Sequence, residues 1–283
     1  MTKTSLRARP WTRSALLAIE LRAARIHERR GLNELARRVG VAKAVLSSWE
    51  HAERTPHLED VAGILGALGV IGERKARILE LARHPDSDSI IFGRRGLPRH
   101  FALAEVCARA AERIVEWHPL LVPDLLRTVD YAISVARSLP PQARPKTEHI
   151  RAHCDANNAI LNDKEACVYI GEQALTHPMG DATVVAEQLR RLIRIQQANR
   201  RVSVRVVPNN IGSHIGLSGT FTGYHTAVGR IVHRPLSCCG EFLLDGDGLY
   251  ADLDAQLGET ALTAADSAAF IARHAMHLVT AAS

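Results

Sequence analysis

Residues 34–50 read ELARRVGVAKAVLSSWE, and the reading of this stretch decides the fold of the N-terminal part. Apolar residues at helical spacing run up to Val39, stop at Gly40 and resume at Val45. That pattern is an amphipathic helix, a break and a second helix. A glycine just past a helix end takes the left-handed backbone conformation that most residues avoid. Val41 then turns inward and Ala42 opens the next helix. Two short helices joined by a tight turn at a large angle make a helix-turn-helix. Its second helix can lie in the major groove and offer its first residues to base edges.

The same period extends to both sides. Leu16, Leu17, Leu21 and Ala24 make one face of a first helix, and Leu32, Leu35, Ala36 and Val39 a face of the second. Val45, Leu46 and Trp49 belong to the third, Val61, Ile64, Leu65 and Leu68 to the fourth, and Ala76, Leu79 and Leu81 to a fifth. Charge follows this boundary. Residues 1–54 hold 12 Lys/Arg against 5 Asp/Glu, a net of +7, while the whole chain of 283 residues carries +6. A basic block beside a neutral remainder points to a polyanion partner at this end.

Length allows two domains, and 46% hydrophobic with 23% charged residues is a globular composition. No apolar run approaches the roughly 18 residues that cross a bilayer. The start, MTKTSLRARPWTRS, is basic without an apolar segment, so no secretory signal is read there and the expected location is the cytoplasm. The five cysteines, Cys107, Cys154, Cys167, Cys238 and Cys239, are odd in number and lack a CxxC pair. They read as buried apolar residues, not as a disulfide framework.

Residues 84–99 lose the helical period and gain Pro, Gly, Ser and Asp, which reads as a linker. Helices are expected from Phe101 to Glu116, from Asp124 to Ser138 and over 146–161, with breaks at WHPLLVP and PPQARP. CVYIG (167–171) and VSVRVVP (202–208) read as strands around a helix from Ala182 to Ala198. TFTGYHTA (220–227) and RIVHRP (230–235) read as a hairpin around Val228-Gly229. A last helix begins with Thr263 as N-cap and Asp266 in its first turn. The expected architecture is a five-helix domain over 1–83, a linker over 84–100, and a mixed α/β domain with a small sheet over 101–283.

Residues 16–70 resemble a repressor-type helix-turn-helix domain of the xenobiotic-response-element (XRE) class. The resemblance is carried by Leu21, Arg25, Glu34-Leu35-Ala36, Gly40-Val41, Leu46-Ser47, Trp49-Glu50, Pro56, Leu65 and Leu68-Gly69-Val70. It implies base-reading positions at Lys43, Ala44, Ser47 and Ser48, and phosphate contacts from Arg38 and Arg54. Lysine can contact a guanine edge, serine several bases, and alanine only a thymine methyl. The resemblance also implies an ion pair between Arg25 and Glu50, with Trp49 as a core residue. The chain departs from the family at Gly31 and Ala42, where a capping Ser or Thr is usual, and at Ala52, where Gly is usual.

Residues 101–274 resemble the C-terminal domain of actinobacterial WhiJ-like, or toxin–antitoxin-like, regulators. VPDLLRTVDYA (122–132), EQAL (172–175), EQLRRL (187–192), VRVVPNNIGSHIGLSGTF (204–221) and LTAADSAAFI (262–271) carry it. Asp124 stands where that family prefers glycine. The resemblance implies a small acidic protein partner encoded nearby, in addition to double-stranded DNA. A homodimer is implied by the helix-turn-helix.

Catalytic patterns are weak. Gly216-Leu217-Ser218-Gly219 is one residue short of a G-x-S-x-G elbow. Asp245-Gly246-Asp247-Gly248 starts like a calcium loop but meets Leu249 and Gln256 at ligand positions. His233 with Cys238 and Cys239, even joined by His153-Cys154, lacks the paired spacing of a zinc site. Glu172, at the end of a strand, reads as a structural ion-pair carboxylate, with a ligand contact as the alternative. No catalytic residue, metal or cofactor is assigned. The reading is therefore a sequence-specific transcriptional regulator, not an enzyme, whose C-terminal domain senses a protein partner or ligand. The alternative is an antitoxin-like protein that neutralises a small partner and autoregulates its operon.

Overall fold

The computed structural model describes residues 10–93, 97–141, 144–177, 179–212, 215–235 and 240–281. The basic arm over residues 1–9, and Cys238 and Cys239, lie outside them. The chain forms two compact units, residues 1–111 with 224–249, and residues 112–223 with 250–283.

In the first unit, five helices follow one another: α1 (Thr12–His27), α2 (Leu32–Val39), α3 (Lys43–Glu50), α4 (Leu58–Leu68) and α5 (Gly72–Arg83). Their core contains Leu16, Leu17, Leu21, Leu35, Leu46, Ile64, Leu65 and Ile78, all almost fully buried. Two faces differ from the sequence pattern. Helix α1 is buried on every side from Ser14 to Leu21, because α3, α4, α5 and two strands surround it. Helix α5 buries Arg77, Ile78, Leu81 and Ala82, and leaves Ala76 exposed. Arg77 is turned inward by Glu20 of α1, whose carboxylate accepts from its Nε at 2.5 Å. A charged side chain interrupts the apolar pattern, so periodicity alone misplaced the face.

Four helix ends share one geometry. After α2, the N–H of Val41 donates to Ala36 O at 3.0 Å and Gly40 has φ +74°. The same pair of backbone bonds closes α1 around Arg29, α3 around Ala52 and α4 around Gly69. This is the Schellman turn, with a left-handed residue just past the helix. Glycine meets that need at two ends, whereas Arg29 (φ +52°) and Ala52 (φ +53°) adopt it against a steric cost of about 1–2 kcal/mol each.

Residues 84–99, read as irregular, contain strand β1 (Ser89–Phe92) and the start of α6 (Leu97–Ala110). Four strand residues carry too little pattern to be seen alone. β1 exists because it pairs antiparallel with β7 (Gly240–Leu244). The Thr12 hydroxyl at the start of α1 donates to Asp88 O and accepts from Leu244 N, which ties the helix to both strands. β7 also pairs antiparallel with β6 (Gly229–Pro235). Buried His100 of α6 and His233 of β6 meet at 2.6 Å between their Nε2 atoms, against the Phe242 ring. A Cβ at Gly240 would lie 1.8 Å from His100 Nε2, so only glycine fits there.

In the second unit, β2 (Arg113–His118), β3 (Glu165–Gly171) and β4 (Val202–Val207) are parallel neighbours, with Val115 opposite Cys167 and Val168 opposite Val204. The expected helix to Glu116 ends at Ala110 instead. The run Ile114–His118 is buried along its length, as a central parallel strand requires, and its β-branched and aromatic residues favour that state. A 3-10 turn (Asp124–Leu126), α7 (Val129–Arg137) and α8 (Thr147–Asp163) lead from β2 to β3. The single helix expected from Asp124 is thus split, with the Thr128 hydroxyl capping α7 at Tyr131 N. Short α9 (Glu172–Thr176) and α10 (Ala182–Ala198) lead on to β4. β5 (Phe221–Thr226) and β6 are joined through Ala227-Val228. Helices α11 (Leu249–Thr260) and α12 (Ala264–Ala281) close the chain. Thr263 Oγ1 accepts from Asp266 N and donates to its carboxylate, which starts α12. The seven strands form one mixed sheet in the order β1-β7-β6-β5-β2-β3-β4.

Candidate nucleic-acid interface

Helix α3 begins at Lys43, with Ala42 in an extended conformation and no side chain capping its first N–H groups. Lys43 and Ala44 are exposed and Ser47 is half-buried. Their spacing of one and four residues puts them on one side of the helix. Ser48 differs from the expected set. It is only 9% exposed, and its hydroxyl donates back to Val45 O at 2.7 Å. Its carbonyl receives the N–H groups of Glu53 and Arg54 after the helix. Ser48 therefore helps to hold the end of α3. Arg38, in the last turn of α2, and Arg54, after α3, are exposed. His51 was missed by the sequence reading, and its ring lies 2.8 Å from Ser47 O at the carboxyl end of α3.

Under this surface, Glu50 anchors the helix. Arg25 Nε and Nη2 each donate to the Glu50 carboxylate at 2.7 Å, while Nη1 donates to Arg30 O. Glu50 is 3% and Arg25 15% exposed. The hydrogen bond to Glu50 outweighs burial and raises the Arg25 pKa. A bidentate pair fixes both distance and rotation of α3 against α1. Trp49 and Leu46, both buried, fill the space beside it.

A second concentration of polar groups lies in the α/β unit, and sequence reasoning did not foresee it. Glu116 and His118, two apart on β2, share one face of the sheet. They are 6% and 7% exposed. Thr222 donates to Glu116 Oε1 at 3.2 Å, and Oε2 has no partner among the described residues. Asp124 accepts from Arg127 at 3.0 Å and meets His153, while Asn157 donates to the Asp124 carbonyl at 3.1 Å. Burial, reinforced by the charge of Asp124, pushes the Glu116 carboxyl up to about 8. Burial and the Arg127 charge push His118 down to about 3. Burial disfavours the Asp124 charge, but Arg127 and His153 prevail and its pKa is lowered.

The weak catalytic candidates have structural partners. Glu172 accepts from Asn209 N, Asp245 pairs with Arg230, and Asp247 accepts from Leu249 N at the start of α11. The Ser218 side chain lies outside the described residues.

Comparison with protein families finds two matches. Residues 21–71 match the model described as helix-turn-helix, and residues 101–273 match the one described as domain of unknown function (DUF5753). The second covers more than half of the chain. The chain belongs to the DUF5753 family. Its helix-turn-helix is that of a DNA-binding transcription regulator. Searches of curated proteins and of solved structures found no match. Among the described residues, no helix is long and apolar enough to cross a membrane.

Proposed function

We propose that this DUF5753 protein is a sequence-specific regulator that reads DNA with Lys43, Ala44 and Ser47. In this reading Arg38 and Arg54 bind phosphates, and the C-terminal unit senses a ligand or protein partner. The single observation that carries it is the exposed side of α3, held from beneath by the Arg25–Glu50 pair. Phosphate contacts supply affinity, and base contacts supply choice. The chain acts as a homodimer here, so its two copies of α3 read half-sites about one helical turn, roughly 34 Å, apart.

Selection from random DNA followed by titration over salt tests the reading. A near-palindromic motif should emerge. With about six phosphate contacts, affinity should fall about 10³-fold between 50 and 200 mM salt. No enriched motif, or an affinity flat across that range, would count against it.

A further inference from the structure

We propose that the polar cluster at the carboxyl end of β2 binds a small organic cation, an amine or a guanidinium, which pairs with the Glu116 carboxylate. Glu116 and His118 are each more than nine-tenths buried on one face of the strand. Glu116 Oε2 has no hydrogen-bond partner among the described residues. Buried polar groups are nearly always paired, so the unpaired Glu116 oxygen marks a place where something else supplies the partner. The carboxyl ends of parallel strands are where α/β sheets commonly receive ligands.

The charges select the ligand class. Arg127 is committed to Asp124 and to the Val122 carbonyl. His153 is also engaged with Asp124. Glu116 is hydrogen-bonded by Thr222, a neutral hydroxyl, and among the described residues forms no ion pair of its own. An anion would face two carboxyl groups, whereas a cation completes the pair that Glu116 lacks. His118 offers a neutral imidazole nitrogen to the same ligand. The Asp124 and His153 side chains are 41% and 38% exposed, so the cluster reaches solvent at that side. The carboxylates and imidazoles of the described residues are not grouped to hold a metal ion, which favours an organic cation. Because Glu116 holds its proton up to about pH 8, binding a cation below that pH displaces one proton to solvent.

This site deepens the sensing role proposed for the C-terminal unit and rests on it. Binding is therefore measured on the full chain without DNA, and coupling separately. Calorimetric titration with butylamine, putrescine and agmatine, in two buffers of different ionisation heat, reads affinity and proton release. Saturable binding by at least one of them is expected. Affinity should rise about tenfold per pH unit between about pH 6 and 8, with one proton released. Glu116→Gln should lower it at least tenfold while the protein still melts cooperatively. Proton release by the wild-type chain decides the matter if the variant does not fold. Failure of every cation, equal binding by Glu116→Gln, or binding by acetate or phosphate alone overturns the site. Operator affinity with and without the bound cation then tests coupling. An unchanged affinity leaves the site standing and removes its sensing role.

Discussion

Glu50 and Glu116 are both buried glutamates, at 3% and 6% exposure, in different regions of the chain. In the helical region Glu50 meets a guanidinium through both oxygens, and Glu20 accepts from Arg77 through one oxygen while its other has no partner among the described residues. In the α/β unit Glu116 meets a threonine hydroxyl and keeps one oxygen unpaired. The two-point guanidinium contact fixes the geometry of Glu50. With only a hydroxyl beside it, Glu116 is pushed by burial up to about 8. The contrast is between a buried carboxylate met by a cation and one met by a neutral hydroxyl.

The largest test breaks the paired side. Glu50→Ala strands the Arg25 charge and should cost about 3–5 kcal/mol of stability. Chemical denaturation measures it, and a loss under about 1 kcal/mol would place this pair with exposed ones.

A second test sharpens the unpaired side through pH. The Glu116 pKa is raised from 4.5 to about 8 in the folded chain, so its stabilising share is lost as pH rises through that window. Above pH 4.5 the unfolded chain has released the proton that the folded chain still holds. His118 and His100 are lowered from 6.5 to about 3 and about 4, so their share is lost as pH falls below 6.5. Stability should therefore peak near pH 6.5 and decline by about 1.4 kcal/mol per unit toward pH 8. Melting of Glu116→Gln should lack the alkaline decline. A decline that persists in the variant assigns it to other groups.

A smaller effect concerns the outer surface of the helical region. Lys43→Ala should cost about 1–3 kcal/mol on the best operator and relax one base position in each half-site. Arg54→Ala should weaken all sequences alike and reduce the salt slope by about one. If wild type and Lys43→Ala select the same motif with the same information at every position, Lys43 does not read bases. Last, Ala52→Gly should stabilise by about 1 kcal/mol, since glycine takes the left-handed conformation without a Cβ penalty. An unchanged melting curve would show the strain at Ala52 to be negligible.

Much of the helical region was legible because its signals are local. Apolar spacing marked five helices, and Gly40 marked one of the turns. Arg29 and Ala52 make the same turn without glycine, so nothing in their identity announced it. Ser48 sat among the expected base-facing positions, but its hydroxyl turned back to Val45, a choice made by packing around the helix end.

The sequence by itself determined the helix-turn-helix, the basic excess over residues 1–54, strands β3 and β4, and the Thr263 start of α12. Each is announced by spacing and side-chain type within a few residues, although β3 and β4 are held by each other and by β2. Tertiary structure alone decided β1, β2 and β7, the inward turn of Arg77, and the meeting of Glu116, His118, Asp124 and His153. A strand is stabilised by a partner distant in sequence, as Ser89 is by Leu243. A buried charge is tolerated or left wanting according to what the fold brings beside it, and no local pattern records that neighbour.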